Sequence, residues 1–231
     1  MGKVSVIIPA RNEPWLQKTI DDVFLKAKGP IEVIVVLDGY WPEPPLKNNP
    51  DLILTHNTKP QGMRSALNSA ALIANGEYLL KLDAHSMVGE GFDIILQADC
   101  EPDWLVVPSR YGLIPETWGR QDMPPVEYLY LTFPYIYEEQ FGFGLHGKKW
   151  TGGNRGQQAW WEPERKFKDK LIDDIIIWQG SCWFMHRQRF YDIDMLDTKH
   201  SYNMFQEANE LAFKTWLSGG RVVVNKKTWY A

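Results

Sequence analysis

The chain has 231 residues, of which 44% are hydrophobic and 23% are charged, and these proportions exclude a disordered or collagen-like protein. The net charge of -4 argues against a protein that coats nucleic acid, and two cysteines are too few for a disulfide framework or a cysteine-based zinc site. The length fits one large domain, residues 1–231. Two cysteines interpreted as reduced thiols predict a cytoplasmic protein, and the lack of any apolar run of roughly 20 residues predicts that it has no membrane helix.

The first hundred residues alternate between predicted strands and predicted helices. Short apolar, β-branched runs predict strands at residues 3–8, 31–37, 52–55 and 77–82. Apolar residues at helical spacing predict helices at residues 15–26 and 62–74. This repeated order predicts an α/β fold with parallel strands, right-handed crossovers and helices on both faces of the sheet.

The alternation ends in the middle of the chain and returns near its end. Residues 126–137 are apolar and aromatic and predict a helix or strand that covers the sheet, and the glycine-rich residues 141–161 predict a mobile lid. The later predicted elements are regular structure at residues 171–179, a strand at 182–186, a helix at 205–218 and a strand at 221–224.

Polar residues follow three of the predicted strands, where open parallel sheets bind their ligands. These segments are Ala10-Arg11-Asn12-Glu13, Asp38-Gly39 and Asp83-Ala84-His85. An Asp and a His two residues apart at a strand end can turn toward one divalent ion, so Asp83 and His85 are candidate metal ligands. A turn-capping Asp beside a surface His is the structural alternative.

Three segments, VSVIIPARNE, VIVVLDG and QGMRSALNSAALIANGEYLLKLDAH, together resemble the opening signatures of the family 2 glycosyltransferases, which have the GT-A fold. The Asp-x-His motif and the segment FQEANELAFKTWLSGGRVVV are similar to the polypeptide N-acetylgalactosaminyltransferases. The resemblance covers residues 3–93 and 178–231. It implies a nucleotide-sugar-binding half at residues 1–100 and an acceptor-binding half at residues 101–231, which includes the lid.

The resemblance also implies the activity and the site. It implies metal-dependent transfer of a sugar from a nucleotide-diphospho-sugar, with a UDP-sugar as the expected donor and Mn²⁺ or Mg²⁺ as the ion. By position it implies a nucleotide pocket at Pro9, Ala10, Arg11 and Glu13, a base or ribose contact at Asp38, a diphosphate contact at Arg64, metal ligands at Asp83 and His85, and sugar contacts at Trp178 and Gln179. Leu37 stands where the family has the first Asp of Asp-Asp-Gly. The acceptor stays open between a glycan, a lipid-linked sugar, a protein and a modified nucleic-acid base.

Glu207 and Glu210 are the candidate catalytic carboxylates. They lie three residues apart, so both can face one side of the predicted helix at its N-terminus. An inverting transferase needs a general base that deprotonates the acceptor hydroxyl, and the resemblance places the functional carboxylate at Glu207. The alternative is that both carboxylates only favour the helix N-terminal dipole.

The third metal ligand and two rival functions stay open at this point. In the transferases with Asp-x-His, a third ligand is a His just beyond the last strand, so here the ligand lies beyond Ala231, or His186, His200 or water replaces it. A nucleotidyltransferase of sugar phosphates usually has a glycine-rich loop after its first strand, which PARNE lacks. A non-catalytic sugar-binding module explains the 11 tryptophans but not an Asp-x-His motif at a strand end.

Overall fold

A computed structural model describes residues 1–132, 146–149, 169–200 and 207–231. The helices of this part are α1 (Leu16–Lys26), α2 (Met63–Ile73), α3 (Phe92–Ala98), α4 (Arg187–Asp192) and α5 (Glu207–Leu217). The strands are β1 (Val4–Ala10), β2 (Ile31–Asp38), β3 (Leu52–Asn57), β4 (Tyr78–Leu82), β5 (Trp104–Arg110), β6 (Leu113–Ile114), β7 (Gly119–Arg120), β8 (Leu129–Thr132), β9 (His146–Lys149), β10 (Ile172–Asp174), β11 (Cys182–His186) and β12 (Arg221–Tyr230). None of these helices has the length and apolar character needed to cross a membrane.

One sheet of eight strands forms the centre of the described structure, in the order β10-β12-β5-β11-β4-β1-β2-β3. Strands β1, β2, β3, β4, β5 and β12 run in one direction, whereas β10 and β11 are antiparallel to their neighbours. The carboxyl ends of the parallel strands therefore lie at the same end of the sheet as the residues that enter β11, and this end is called the sheet edge below. The prediction of a mostly parallel α/β sheet is confirmed.

Helices cover both faces of this sheet, as the β-α-β pattern predicts. On one face α1 and α3 bury Ile20 and Phe92 against the strands. On the other face α2, α4 and α5 bury Leu67, Phe190 and Leu211. Because the central strands are covered on both faces, both sets of alternating side chains are apolar, which explains the continuous hydrophobic runs in the sequence.

The chain departs from the predicted elements mainly in its second half. Strand β5 and helix α3 lie where no element was predicted, and β6 pairs with β7 while β8 pairs with β9. Strand β12 is longer than predicted because it continues to Tyr230 through an irregularity between Asn225 and Trp229. Residues 133–137 of the predicted covering segment lie outside the described residues. So does the predicted lid, apart from β9.

Candidate active site

A cavity of about 330 Å³ opens at the sheet edge where the parallel strands end. Its walls come from the carboxyl ends of β4, β5 and β12 and the residues after them, from the loop that enters β11 and from the first residues of α2 and α5. The lining residues include Lys81, Asp83, His85, Arg110, Gln179, Gly180, Ser181, Glu207 and Tyr230. The fold therefore brings the Asp-x-His motif and Glu207 to one cavity, although they lie in opposite halves of the sequence.

Lys81 lies beneath this cavity, with a side chain that is 1% exposed. Its Nζ donates hydrogen bonds to the Gly180 carbonyl at 2.7 Å and to the Asp83 carboxylate at 2.5 Å, and it lies 3.4 Å from Glu207 Oε1. Burial alone lowers the pKa of Lys81, but the carboxylates of Asp83 and Glu207 outweigh burial and hold that pKa above its ordinary value. Lys81 is therefore the charged counter-ion that both carboxylates share.

Glu207 begins α5 and is 2% exposed. Within the described residues, neither of its buried carboxylate oxygens accepts a hydrogen bond. Burial raises the pKa of Glu207 to about 7; the Lys81 ammonium opposes this rise, and the Asp83 carboxylate adds to it. A carboxylate with a pKa near neutrality is a stronger base than an ordinary one and still ionises at physiological pH, which suits general-base catalysis.

Gly180 allows the loop before β11 to approach Glu207 closely. Its φ of +93° lies in the left-handed region that favours glycine. A Cβ at this position would lie 3.3 Å from Glu207 Oε1, which is tighter than most side-chain contacts. The same residue accepts the Lys81 hydrogen bond, so Gly180 connects the loop to both charged groups.

Asp83 and His85 supply a carboxylate and an imidazole to the same cavity, and solvent reaches both side chains, which are 28% and 56% exposed. His85 Nδ1 lies 2.8 Å from Glu13 Oε2. Carboxylate oxygen and imidazole nitrogen are both ligands that proteins offer to divalent metal ions. The described residues contain no group of three or more His, Cys, Asp or Glu side chains suited to a metal ion. Among the described residues Asp83 and His85 thus form only a pair, and their role as metal ligands stays a prediction.

The two histidines considered as a third ligand lie elsewhere. Strand β11 pairs His186 with Tyr78, the first residue of β4, so His186 lies at the opposite end of that strand from Asp83. Five strand residues span about 16 Å, which is too far for a shared ion. His200 pairs with Asp197 at 2.5 Å beside a second cavity. The structure excludes His186 and gives no support to His200.

Arg64 and Glu210 line that second cavity. The Arg64 guanidinium donates to the Glu210 carboxylate, which also pairs with Lys214 at 2.8 Å and accepts a hydrogen bond from the Asp197 backbone amide. Burial raises the pKa of Glu210, but Lys214 and Arg64 outweigh burial and hold it below its ordinary value. In this structure Glu210 and Arg64 belong to one ion-pair network beside the second cavity. The catalytic role of Glu210 and the diphosphate contact of Arg64 stay predictions.

Asp38 lies at the end of β2 and holds the segment that precedes α2. Its Oδ1 accepts hydrogen bonds from the Asn57 side chain and the Gln61 amide, and its Oδ2 accepts one from the Gly62 amide. Burial raises the pKa of Asp38, but these hydrogen bonds outweigh burial and lower it below its ordinary value. The carboxylate thus fixes a loop, and its contact with a base or ribose stays a prediction.

The residues at the end of β1 lie at the predicted edge of the sheet. Pro9 and Ala10 close the strand, Arg11 is exposed, and Glu13 reaches His85 across the edge. Their contact with a nucleotide stays a prediction. The structure adds a contact between Glu13 and His85, which joins the segment after β1 to the Asp-x-His motif.

Trp178 and Gln179, predicted to contact a sugar, have different surroundings. Trp178 is 4% exposed and packs in the core beneath α2 and α5, so the expectation that it stacks on a sugar ring is corrected. Gln179 is exposed and lines the cavity, where its sugar contact stays a prediction.

Two charged residues of the described cavity lining were not singled out from the sequence. Lys81 interrupts the apolar run EYLLKL, and that interruption is a usable signal because lysine is almost never buried without a partner. Arg110 ends β5, in a part of the sequence with no recognised pattern, and nothing in the sequence marks it.

Comparisons with known proteins give one family and one fold. The sequence matches Glycosyl transferase family 2 over residues 5–193. None of the curated proteins gives a significant match. Many solved structures resemble the chain, and three of them match it over nearly its whole length. GalNAc-T7 with UDP, GalNAc and Mn²⁺ gives a TM-score of 0.72 at 16% identity, covering 100% of this chain and 43% of that one.

Two further structures are S. aureus TarS 1-349 and the mannosyltransferase PcManGT from Pyrobaculum calidifontis in complex with GDP-Man and Mn²⁺. TarS gives a TM-score of 0.60 at 14% identity, covering 98% of this chain and 60% of that one. PcManGT gives a TM-score of 0.57 at 15% identity, covering 99% of this chain and 56% of that one. The chain thus spans about half the length of these structures, and at such identities the likeness concerns the GT-A fold.

Proposed function

Because the chain belongs to glycosyl transferase family 2, we propose that it transfers a sugar from a nucleotide-diphospho-sugar to an acceptor hydroxyl with the help of a divalent metal ion. The observation that carries this proposal is the cavity in which Glu207 lies together with Asp83 and His85. That cavity lies at the carboxyl ends of the parallel strands, where ligands of open α/β sheets bind.

Asp83 and His85 are the residues that would hold Mn²⁺ or Mg²⁺. The ion would supply positive charge that stabilises the departing diphosphate. GalNAc-T7 and PcManGT, which share the fold, were both solved with a nucleotide and Mn²⁺, and this supports the assignment. A UDP-sugar is the donor we propose, and GDP-sugars belong in the same test.

Glu207 acts as the general base in this proposal. Its carboxylate takes the proton of the acceptor hydroxyl as the hydroxyl oxygen attacks the anomeric carbon of the donor sugar. Lys81 is a positioning residue: its ammonium lies between Asp83 and Glu207 and keeps the two carboxylates from repelling each other. Gln179 lies at the same cavity and is available to a sugar hydroxyl.

Family membership favours this function over the two rivals. A nucleotidyltransferase would release pyrophosphate, and a sugar-binding module would release nothing. A buried carboxylate with a pKa raised to about 7 beside a candidate metal pair is of use to a catalyst, while a binding module has no need of a base.

The test is a screen of nucleotide-sugars for release of UDP or GDP, with and without Mn²⁺. We expect release from at least one donor, dependence on the metal, and loss of release in Asp83→Ala. Pyrophosphate release from a sugar phosphate and a nucleoside triphosphate would instead identify a nucleotidyltransferase. Sugar binding without any nucleotide release would identify a binding module.

A further inference from the structure

Arg110 closes β5 at the rim of the cavity that contains Asp83 and Glu207. Its backbone is fixed from two sides. It pairs with Tyr230 of β12, and it exchanges hydrogen bonds with Val126, whose amide donates to the Arg110 carbonyl at 2.7 Å. The side chain is half-buried. The guanidinium therefore extends from a rigid strand end and not from a loop.

Within the part of the chain that the structure describes, the Arg110 guanidinium makes no hydrogen bond or ion pair with the protein. The other two basic side chains of the cavity are engaged, Lys81 by Asp83 and His85 by Glu13. A guanidinium carries five N–H donors in a planar fork that matches the two oxygens of a carboxylate or phosphate. Arg110 is thus available to an anion that enters the cavity.

The sheet order places Arg110 away from the nucleotide-binding segments. Strand β11 separates β5 from β4, so Arg110 lies about two strand spacings, roughly 10 Å, from the strand that Asp83 follows. Strands β1 and β2, which lead to Arg11 and Asp38, lie on the other side of β4. A base beside Asp38 would therefore lie far from Arg110, and a diphosphate beside Asp83 would lie across β11 from the end of β5.

We propose that Arg110 selects an acceptor that carries an anionic group, a carboxylate or a phosphate, near the hydroxyl that receives the sugar. The proposal rests on the proposed function and on the acceptor-binding half that the family resemblance implies at residues 101–231, to which Arg110 belongs. A neutral acceptor leaves the guanidinium without a partner, whereas an anionic acceptor forms charge-assisted hydrogen bonds with it. Such bonds correspond to a preference on the order of 10- to 100-fold in affinity.

The test compares three small probes by calorimetry: methyl β-glucuronide, glucose 6-phosphate and methyl β-glucoside. The protein is first freed of metal with a chelator and then dialysed into chelator-free buffer, so that neither a metal ion nor a carboxylate chelator competes with the probes. Wild type is expected to bind one or both anionic probes at least about tenfold more tightly than the neutral glucoside. The two anionic arms separate a carboxylate from a phosphate. Arg110→Gln should abolish the preference.

Arg120→Gln is the matched control, because the Arg120 guanidinium stacks on Tyr111 at 4.1 Å next to the cavity but is not part of its described lining. This variant should keep the preference. Equal binding of all three probes to wild type, or binding of none, would overturn the proposal.

The affinity for UDP with Mn²⁺ is measured separately on wild type and Arg110→Gln. A loss of tenfold or more in the variant would assign Arg110 to the donor and overturn the acceptor proposal. Failure of wild type itself to bind UDP would count against the proposed function. The preference for anionic probes is measured without nucleotide or metal, so its outcome does not depend on whether the protein binds UDP.

Discussion

Replacing Glu207 by glutamine is expected to stabilise the protein at neutral and alkaline pH, although it removes the group proposed as the base. Burial raises the folded-state pKa of Glu207 from an ordinary value of 4.5 to about 7. A carboxyl with a raised pKa binds its proton more tightly in the folded state than in the unfolded state. Its contribution to stability is therefore fully present below pH 4.5 and is lost as the pH rises through about 7.

The size of the effect follows from the two pKa values. At 1.36 kcal/mol per pKa unit, the difference between 4.5 and about 7 corresponds to about 3 kcal/mol. Glutamine has nearly the same shape as the protonated acid and does not ionise. The free energy of unfolding of Glu207→Gln, minus that of wild type, should thus grow by about 3 kcal/mol between about pH 4.5 and pH 8. Active-site groups often lower the stability of the folded protein, so replacing one of them can raise the free energy of unfolding.

The assay is urea unfolding followed by tryptophan fluorescence at several pH values, with a chelator and without donor. Glu210→Gln is the control on the same helix, because the pKa of Glu210 is lowered by Lys214 and Arg64 against the effect of burial. Its stabilising charge is present at neutral pH and is lost only as the pH falls below the ordinary range. Glu210→Gln should therefore be less stable than wild type by an amount that stays constant from pH 6 to 8. A stability difference for Glu207→Gln that does not change with pH would refute the assignment of a raised pKa.

Three further predictions concern the same cavity. Asp83→Ala should abolish Mn²⁺-dependent UDP binding in calorimetry while circular dichroism stays native, and an unchanged affinity would contradict the metal assignment. Lys81→Met leaves Asp83 and Glu207 without their shared counter-ion, so urea unfolding should show a loss of about 3–5 kcal/mol, and a loss below about 1 kcal/mol would show that the lysine is not needed there. Gly180→Ala forces a φ of +93° on a residue with a Cβ and crowds Glu207, so a loss of about 1 kcal/mol or more is expected, and wild-type stability would contradict the close approach.

Much of the fold could be predicted because the central strands are buried on both faces. Continuous apolar runs such as the one from Ile31 to Leu37 are unambiguous, and β11 has the predicted bounds. Strand β12 was predicted too short because its polar residues after Val224 do not look like a strand; the partner strand β5 decides that they continue the sheet. Sequence periodicity contains no information on such pairing.

The candidate site was predictable only where a motif marked it. Asp83 and His85 follow a clear strand, and the family resemblance pointed to Glu207. Arg64 and Glu210 were expected beside Asp83 and Glu207, yet they form an ion pair with each other and line the second cavity. Which oppositely charged side chains meet depends on the packing of α2 against α5, and a sequence pattern does not specify this packing. The same holds for Arg110, whose place follows from strand order alone.

The most direct test of the central claim, that Glu207 is the base for sugar transfer, is to measure kcat and donor Kd together for Glu207→Gln, using whichever donor the nucleotide-sugar screen identifies. A base acts in the transition state and not in donor binding, so its loss should lower kcat and leave Kd nearly unchanged. We predict a decrease in kcat of about 10²–10⁴-fold with a donor Kd within about twofold of wild type. Full transfer activity in Glu207→Gln, or a loss explained entirely by weaker donor binding, would contradict the account.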